Sequence, residues 1–563
     1  MRHTFNTLAD ILEYSTYVNA GRLVSDFTEG GQSYTFTQFR EKCDELSGLL
    51  CTFGISVSDK VAILSENMPN WAVAFFSVTA YGRIAVPMLP EVSPNEVENI
   101  LSHSGAKAIF VSEKQIPKIS KERMDGLCLV IDINTFQLLK AEDPFYTCDG
   151  RIKVPAPMDI AAILYTSGTT GNAKGVMLSH RNLCWNVTEA WYAHKVGRRD
   201  VFLSVLPLAH TYEMSIGMLY PFAMGASVYY LQKPPTPTIL MKTLKKIRPT
   251  AMLSVPLIME KIYKNSILPT ISSSKFLSHL QEHWPLLLYR LVGIKLKKTF
   301  GGRIRFFGIG GSKLDVNIES FLCKTGFPYA IGYGLTETAP LICNAPPHKT
   351  HVGTTGTAAY GVQVKLIDVD PETGQGELVV KGPNVMLGYY KDFKRTMQVK
   401  TADGWFRTGD IASVDKKGRY SIQGRSGNVI IGSSGENIYP EEIESVINFM
   451  KEVNESLVIS RDGHLVALVQ FNDGLIDWNL EGQDKFMEMI EERKQSVKDF
   501  VNSKVSRFLK INEVEVMREP FHRTATHKIK RFLYQDKKRA ADAKDGKIDD
   551  AAKTGQKDNR KES

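Results

Sequence analysis

The alternation of apolar, strand-like runs with helix-like stretches constrains the fold of this chain most. An apolar run at 61–64 precedes a helical pattern at 71–81, which precedes a second apolar run at 84–88. This order is typical of parallel sheets covered by helices. Closely spaced strands around a turn at 371–374 add a smaller β region. We therefore predict an α/β protein with a large N-terminal domain of parallel sheets layered with helices over residues 1–424.

A second, smaller domain is expected to follow. A short apolar strand at 428–431, a helix beginning near Pro440 and a strand at 465–471 predict a small, mobile α+β C-terminal domain over residues 425–535. Residues 536–563 are rich in Lys, Asp, Ala and Gly and hold hardly any apolar side chain. Such a segment cannot form a core, so we expect a disordered charged tail.

Composition excludes several classes of function. The 563 residues carry 70 Lys+Arg against 61 Asp+Glu, and a dispersed net charge of +9 does not indicate nucleic-acid binding. The seven cysteines are odd in number and lack Cys-x-x-Cys spacing, which is typical of reduced thiols. The N-terminus has no basic start followed by an apolar core, so we expect no export and a cytoplasmic location.

Two kinds of segment bear on membrane contact. The uncharged stretch 214–231 contains a proline, two glycines and several hydroxyls, so we interpret it as buried core bordering a pocket rather than as a membrane span. The basic clusters at 242–248 and 295–298 are interpreted as solvated faces or, alternatively, as surfaces for anionic phosphates or lipid headgroups. Peripheral contact with the inner face of the membrane therefore stays open.

A loop at 165–175 carries the strongest chemical signal. It follows the apolar run 160–164 and combines glycines and hydroxyl side chains with one lysine, Lys174. Backbone N–H groups and hydroxyls of such a loop can surround phosphate oxygens while the lysine supplies charge. The lysine lies between Ala173 and Gly175, which excludes the Walker pattern of kinases and GTPases. The candidate phosphate-binding residues are Thr166, Ser167, Gly168, Thr169, Thr170, Gly171 and Lys174.

Five more segments follow this loop in a definite order. They are Gly310-Gly311-Ser312 after an apolar run, Tyr333-Gly334 with Thr336 and Glu337, Asp410 with Arg425, Gly435 before Pro440, and Lys528 in a basic segment. Together with the loop, these segments resemble the adenylate-forming superfamily of acyl-CoA synthetases, peptide synthetase adenylation domains and luciferases. The resemblance is continuous over residues 30–535, and it implies a nucleotide site for ATP and Mg²⁺.

The resemblance assigns roles around the nucleotide. The turn 310–312 would approach adenine, and Tyr333 would stack beside the ring. Thr336 would contact the α-phosphate and Glu337 would bind Mg²⁺, for which a carboxylate oxygen is a suitable ligand. Asp410 would accept hydrogen bonds from both ribose hydroxyls, as an acceptor-only group can.

It also assigns roles to the smaller domain. Arg425 would join Asp410 and the α-phosphate region, and Gly435 would line the tunnel for the pantetheine arm of coenzyme A. Lys528 would hold the substrate carboxylate against the α-phosphorus and offset charge in the transition state. The chain departs from the usual family pattern at Ala173, Ser312, Gly427 and His527, and the last departure makes Lys530 the alternative to Lys528.

Two segments resemble the long-chain fatty acid ligases within the superfamily. The motif at 206–213 would border the acyl pocket, with His210 near the carboxylate, and the segment 255–263 resembles the same enzymes. The apolar, Met-rich segment 214–230 suits a tunnel that buries methylene groups at about 0.8 kcal/mol each.

The predicted function is therefore a long-chain fatty acid CoA ligase that forms AMP, with a fatty acid, ATP and CoA as its partners. An acyl-AMP ligase that transfers to an acyl carrier protein is the first alternative. A nucleotide-binding regulator without turnover is a distant second, supported only by the departures at positions 173, 427 and 527.

Overall fold

The computed structural model describes residues 4–144, 154–166, 174–431, 437–461, 463–478, 483–524 and 528–535. The chain divides into two compact units. The first holds the residues up to Thr408 together with Ala412–Ile422, and the second holds Gly409–Ile411 together with the residues from Gln423 onward. The predicted division after residue 424 lies close to the last junction, whereas the sequence did not predict that Gly409–Ile411 belongs to the second unit.

The helices of the described residues are α1 Leu8–Asn19, α2 Phe36–Thr52, α3 Pro69–Thr79, α4 Pro94–Ser104, α5 Lys121–Asp125, α6 His180–Ala193, α7 Tyr220–Ala223, α8 Pro237–Ile247, α9 Pro256–Ile262, α10 Leu268–Ser273, α11 Lys275–His283, α12 Pro285–Thr299, α13 Val316–Thr325, α14 Phe393–Val399, α15 Pro440–Asn448 and α16 Gln483–Lys504. Two π-helical turns lie at Glu213–Leu219 and Tyr263–Ile267. Short 3-10 turns lie at Ile116–Lys118, Thr336–Thr338, Ser426–Asn428, Arg507–Leu509 and Arg531–Leu533.

The strands of the same residues are β1 Leu23–Phe27, β2 Tyr34–Thr35, β3 Lys60–Leu64, β4 Ile84–Met88, β5 Ala108–Val111, β6 Leu129–Asp132, β7 Leu138–Ala141, β8 Ile160–Thr166, β9 Lys174–Ser179, β10 Val201–Ser204, β11 Ser227–Tyr230, β12 Ala251–Ser254, β13 Phe306–Ile309, β14 Tyr329–Gly334, β15 Leu341–Ala345, β16 Thr357–Ala358, β17 Gln363–Ile367, β18 Gly376–Lys381, β19 Gly388–Tyr389, β20 Phe406–Val414, β21 Tyr420–Arg425, β22 Ile430–Ile431, β23 Asn437–Ile438, β24 Val453–Arg461, β25 His464–Phe471 and β26 Glu513–Val516.

Two large, mainly parallel sheets form the first unit, which confirms the predicted α/β class. In the described residues, sheet A has the order β16-β15-β14-β13-β12-β10-β11-β1-β2, and sheet B has the order β19-β9-β8-β4-β3-β5-β6-β7. Strands β3 and β4 are parallel, with Lys60 opposite Ile84, and the crossover helix α3 between them is buried along its whole length. Its lack of a polar face follows from that burial.

Local signals explain where elements begin. Ser93 caps α4, because its Oγ accepts a hydrogen bond from the Glu96 N–H while the Glu96 carboxylate accepts one from the Ser93 N–H. The predicted turn at 371–374 connects β17 to β18, which pair in antiparallel fashion in a sheet of order β17-β18-β20-β21. The chain passes between its two units within β20 and again within β21.

The stretch 214–231 is core, as predicted. Its π-helical turn and α7 are buried, and β11 pairs with β1 and β10 inside sheet A. In the described residues, no helix is both long enough and apolar enough to cross a bilayer. The expectation of reduced cysteines is wrong at Cys51, which is disulfide-bonded. Pairing depends on the approach of two Cα atoms in space, which spacing along the chain does not reveal.

The second unit is built on a three-stranded sheet of order β24-β25-β26, in which β24 and β25 are antiparallel and β25 and β26 are parallel. Helices α15 and α16 contribute Ile443, Ile447, Val497 and Val501 to its core. Helix α15 begins at Pro440 as predicted. The predicted strand at 428–431 is shorter than expected, since a 3-10 turn occupies its first position. The predicted tail at 536–563 lies outside the described residues.

Candidate active site

The ends of two neighbouring strands of sheet A bring the predicted adenine-binding residues together. Strands β13 and β14 are parallel, so the turn that holds Gly310, Gly311 and Ser312 leaves the sheet at the edge where β14 carries Tyr333 and Gly334. Gly311 has a φ of +89°, which favours glycine. The carboxyl edge of parallel strands is where α/β proteins bind ligands.

The turn after β14 fixes Thr336 and Glu337 in place. A Cβ on Gly334 would lie 1.8 Å from the carbonyl oxygen of Pro340, so the close approach requires glycine. Thr338 Oγ1 accepts a hydrogen bond from the Leu335 N–H at 3.0 Å, which closes the turn from inside. The turn therefore presents its acidic residue from a rigid backbone.

Strands β8 and β9 pair in antiparallel fashion and carry the two described ends of the phosphate loop. Thr166 lies opposite Lys174 in this pair. The loop is thus a connection between paired strands, and its ends are fixed by the sheet. The remaining predicted loop residues, Ser167, Gly168, Thr169, Thr170 and Gly171, lie outside the described residues, as do Gly435 and His527.

Tyr389 connects the lysine of the phosphate loop to the predicted metal ligand. Lys174 Nζ lies 5.3 Å from the centre of the Tyr389 ring, and Tyr389 Oη donates a 2.9 Å hydrogen bond to Glu337 Oε1. The tyrosine is 4% exposed and belongs to β19, which pairs with β9. Its backbone is therefore held by the sheet that carries Lys174. The structure brings Lys174 and Glu337, more than a hundred residues apart in sequence, into contact with one tyrosine side chain.

The side chains of Lys174 and Glu337 suit the binding of Mg²⁺ and a triphosphate. Glu337 is not part of any cluster of three or more metal-ligating side chains in the described ranges. Mg²⁺ keeps several waters and is commonly bound by one or two carboxylates plus substrate phosphates, so a single carboxylate fits it. Lys174 would supply the positive charge that the same phosphates require.

The turn that carries His210 is held by Asn67. The Asn67 amide donates to the Leu206 carbonyl at 2.6 Å, and its oxygen accepts from the Leu208 N–H at 2.9 Å. His210 Nδ1 accepts a hydrogen bond from the Tyr212 N–H at 3.2 Å. The imidazole therefore carries its proton on Nε2 when it is neutral.

An apolar cavity of about 40 Å³ lies between β13, β14 and the π-helical turn. Its walls include Tyr212, Gly308 and Gly332, and the two glycines leave the space that side chains would fill. A Cβ on Gly308 would lie 2.7 Å from Tyr212 Oη, and one on Gly332 would lie 3.3 Å from a Leu341 methyl. The cavity thus borders the strands whose ends carry the predicted adenine-binding residues.

His194 lines the same cavity. Its ring stacks on Phe306 at 4.9 Å between centroids, and its buried Nε2 has no hydrogen-bond partner among the described residues. Burial, followed by the positive charge of Arg305, lowers the pKa of His194. The imidazole is therefore neutral at pH 7 and behaves as an aromatic wall.

A buried carboxyl group, that of Glu213, lies at the start of the π-helical turn. Burial raises the pKa of Glu213 to about 8, and a hydrogen bond from Ser204 opposes the shift. A Cβ on Gly217 would lie 2.6 Å from the Glu213 carboxyl carbon, so glycine leaves room for the carboxyl group in its present position. At neutral pH this group is predominantly protonated, which is how a buried carboxyl without a cation is tolerated.

In the second unit, Asp410 and Arg425 form an ion pair. Arg425 Nε lies 2.7 Å from Asp410 Oδ1, and the aspartate side chain is 5% exposed while the arginine is 45% exposed. The two residues predicted to act together on ribose and the α-phosphate are therefore in contact. A Cβ on Gly427 would meet nothing within 4 Å, so glycine is not required there for space.

Two hydrogen bonds hold Lys528 beside Thr524. Its N–H donates to Thr524 Oγ1 at 3.2 Å, and the Thr524 N–H donates to the Lys528 carbonyl at 2.8 Å. Three residues later, Arg531 contacts Glu444 at 2.8 Å and anchors the segment to α15. Lys528 is exposed, whereas its alternative Lys530 is half-buried.

Sequence reasoning missed Tyr389, Asn67 and the cavity residue His194. Each acts through a partner that is distant in sequence: Tyr389 contacts Glu337, and Asn67 holds residues near position 207. Only the tyrosine had a local signal, a Gly-Tyr-Tyr run after an apolar segment, and that signal is weak.

The chain is similar to a known family of proteins. The AMP-binding enzyme family matches residues 15–390. The Arabidopsis thaliana protein named long chain acyl-CoA synthetase 7, peroxisomal, is 30% identical over 502 residues, covering 81% of this chain and 71% of the relative. A second Arabidopsis thaliana protein, the chloroplastic long-chain-fatty-acid–[acyl-carrier-protein] ligase AEE15, is 28% identical over 536 residues, covering 78% of this chain and 72% of the relative.

A solved structure shares the fold. O-succinylbenzoate CoA synthetase from Bacillus subtilis, in complex with ATP and magnesium, superposes with a TM-score of 0.74 at 21% identity, covering 93% of this chain and 99% of the other. The family match covers well over half of the chain, and the matched span includes the phosphate loop, Tyr333 and Glu337. The chain belongs to the AMP-binding enzyme family.

Proposed function

We propose that the chain is an AMP-forming long-chain fatty acid CoA ligase. It would convert a fatty acid, ATP and CoA into acyl-CoA, AMP and pyrophosphate through an acyl-adenylate. The observation that carries this proposal is the Lys174–Tyr389–Glu337 contact, which joins the predicted phosphate-binding lysine to the predicted metal ligand. Relatives named as long chain acyl-CoA synthetases support it.

In the first half reaction, a carboxylate oxygen of the acid attacks the α-phosphorus of ATP, and pyrophosphate leaves with the electrons of the broken bond. Lys174 offsets charge on the departing phosphates, and Thr336 donates to an α-phosphate oxygen. Glu337 would hold Mg²⁺, which would supply positive charge to the triphosphate. His210 can donate from Nε2 toward the acid, because its Nδ1 is already engaged by the Tyr212 N–H.

We propose that the second unit is the mobile domain of the enzyme. It would supply Lys528 to the first half reaction, and the loop with Gly435 would line the path of the CoA thiol in the second. In that step the thiol sulfur attacks the acyl carbonyl carbon and AMP leaves. Asp410, with Arg425 beside it, would hold the ribose throughout.

The cavity is the proposed entrance of the acyl tail. Its volume is about 40 Å³. About 10–15 Å³ of such space holds one water molecule, so the cavity has room for only a few small groups and a long chain must displace a wall. The ring of His194 is the part of the wall that we expect to move. Its Nε2 has no hydrogen-bond partner among the described residues, so movement of the ring breaks no hydrogen bond there. Its displacement from Phe306 would enlarge the cavity.

The thiol acceptor has one alternative, an acyl carrier protein in place of CoA. A relative named as an acyl-carrier-protein ligase matches this chain over about the same length as the long chain acyl-CoA synthetases do. The predicted location, cytoplasmic with peripheral contact at the inner membrane face, stays a prediction.

Product analysis by mass spectrometry tests the proposal. The purified chain is incubated with ATP, Mg²⁺ and acids from acetate to long straight-chain acids, with CoA or with a phosphopantetheinylated carrier protein. We expect acyl-CoA and AMP, with yields that rise with chain length. Transfer only to the carrier protein would replace CoA as the acceptor, and the absence of adenylate with every acid would refute the ligase assignment.

A further inference from the structure

Helix α12 exposes an apolar stripe to solvent. Trp284, which precedes the helix, and Leu287, Leu291 and Ile294 are 64%, 46%, 43% and 63% exposed. Their spacing of three or four residues places them on one face of the helix. Scattered apolar side chains on a surface need no explanation, but a continuous stripe does.

The stripe is not the result of a loosely placed helix. The opposite face of α12 buries Leu288 and Leu296, and a Cβ on Gly293 would lie 2.1 Å from the carbonyl oxygen of Thr325 at the end of α13. Only glycine permits that approach, so the helix is fixed in rotation. Its outward face is therefore a constant feature of the first unit.

Basic side chains accompany the stripe. Arg290, Lys295 and Lys298 are exposed, and at 100° per residue the first two fall on either side of the stripe while the third extends it. None of the three has an ion-pair partner in the described ranges of the chain. No aspartate or glutamate occurs between Glu282 and Asp315, so the charged side chains of α12 are all positive.

We propose that this face, defined as Trp284, Leu287, Leu291 and Ile294 with their three flanking cations, docks the protein on an anionic lipid surface. Amphipathic helices that lie in a bilayer interface combine an apolar stripe with Lys and Arg, and tryptophan favours the interface. Long basic side chains can direct their charged ends to headgroup phosphates while the apolar residues enter the acyl region.

A second copy of the chain fits this face less well. A two-fold contact through the stripe would bring Arg290, Lys295 and Lys298 close to the same residues of the other copy. The face has no acidic residue to compensate them, and like charges across an interface oppose association. An anionic bilayer satisfies both the apolar and the charged parts.

Vesicle co-sedimentation tests the proposal without reference to catalysis, so its failure is separate from failure of the proposed function. Vesicles of phosphatidylcholine alone are compared with vesicles that also contain phosphatidylglycerol. The apolar variant combines Leu287→Ser, Leu291→Ser and Ile294→Ser, and the charge variant combines Arg290→Gln, Lys295→Gln and Lys298→Gln. Thermal melting shows that each variant is folded.

A matched control removes apolar groups of similar exposure elsewhere. Phe393→Ser with Met397→Ser changes side chains of α14 that are 77% and 55% exposed. We expect the control to bind anionic vesicles like the unchanged chain. The charge variant should bind about five-fold more weakly per cation removed, on the order of 100-fold in all, and the apolar variant at least about ten-fold more weakly.

Added salt should weaken the binding of the unchanged chain and leave the residual binding of the charge variant nearly constant. Equal binding by all variants, or no preference for anionic vesicles, would overturn the proposal. So would gel filtration that shows a dimer dissolved by the apolar variant, since the face would then be covered by a second copy.

Discussion

Replacing Tyr389 by phenylalanine tests the contribution of one hydroxyl group to the proposed Mg²⁺ site. The change removes the hydroxyl that donates to Glu337 Oε1 at 2.9 Å and leaves the ring beside Lys174. The tyrosine is 4% exposed, so water does not readily replace the lost donor. A hydrogen bond to a charged group contributes about 1.5–3 kcal/mol, which corresponds to a loss of roughly 10- to 150-fold.

The loss of activity should appear in the ATP-dependent step, in which Glu337 is proposed to bind Mg²⁺. We expect kcat/KM for ATP, measured by pyrophosphate release, to fall by about that factor, with part of the loss recovered at high Mg²⁺. A variant with Tyr389→Leu also removes the aromatic face from Lys174 and should lose a further two-fold or more, since cation–π contacts contribute about 0.5–2 kcal/mol.

The neighbouring Tyr390→Phe is the matched control. Its hydroxyl donates only a long 3.4 Å hydrogen bond to the Ser104 carbonyl, away from Glu337. Equal kinetics for Tyr389→Phe and Tyr390→Phe would refute the reasoning. A double-mutant cycle of Tyr389→Phe with Glu337→Gln should show coupling, because removal of either partner already breaks the interaction.

Four further changes have defined outcomes. Gly332→Ala places a methyl 3.3 Å from the cavity wall, so kcat/KM should fall about five-fold for long acids and stay constant for acetate. Lys528→Ala should abolish adenylate formation in a pyrophosphate assay while Lys530→Ala retains it; the reverse would move the catalytic lysine. Asp410→Asn should raise KM for ATP about ten-fold with little change in Tm, and an unchanged KM would exclude the ribose role. Because the folded pKa of Glu213 is raised to about 8, its contribution to stability is present below pH 4.5 and is lost as pH rises through 8, at up to about 1.4 kcal/mol per unit; Tm profiles of Glu213→Gln should lack that slope.

Local patterns predicted the parts of the fold that local forces determine. The parallel order of β3 and β4 follows from the alternation of apolar runs with an intervening helix, and Ser93 and Pro440 mark the beginnings of helices through capping and backbone preference. The excursion of Gly409–Ile411 into the second unit could not be predicted, because it depends on which neighbours a strand acquires after folding.

The candidate site shows the same division. Motif residues such as Glu337 and Asp410 could be found in the sequence, since each lies in a segment with its own pattern. Tyr389 could not, because its role arises from pairing of β19 with β9, which places its ring between groups distant in sequence. For α12, the sequence predicts only the basic cluster at 295–298. The apolar stripe could not be predicted, because it depends on which face of the helix is buried.

The most direct test of the central claim follows oxygen from the acid into the nucleotide. A fatty acid labelled with heavy oxygen in both carboxylate positions is incubated with the enzyme, ATP, Mg²⁺ and CoA, and the nucleotide and phosphate products are analysed by mass spectrometry. If the carboxylate attacks the α-phosphorus, one labelled oxygen leaves with AMP and none enters pyrophosphate. Label in inorganic phosphate together with ADP, or AMP without label, would contradict the acyl-adenylate mechanism.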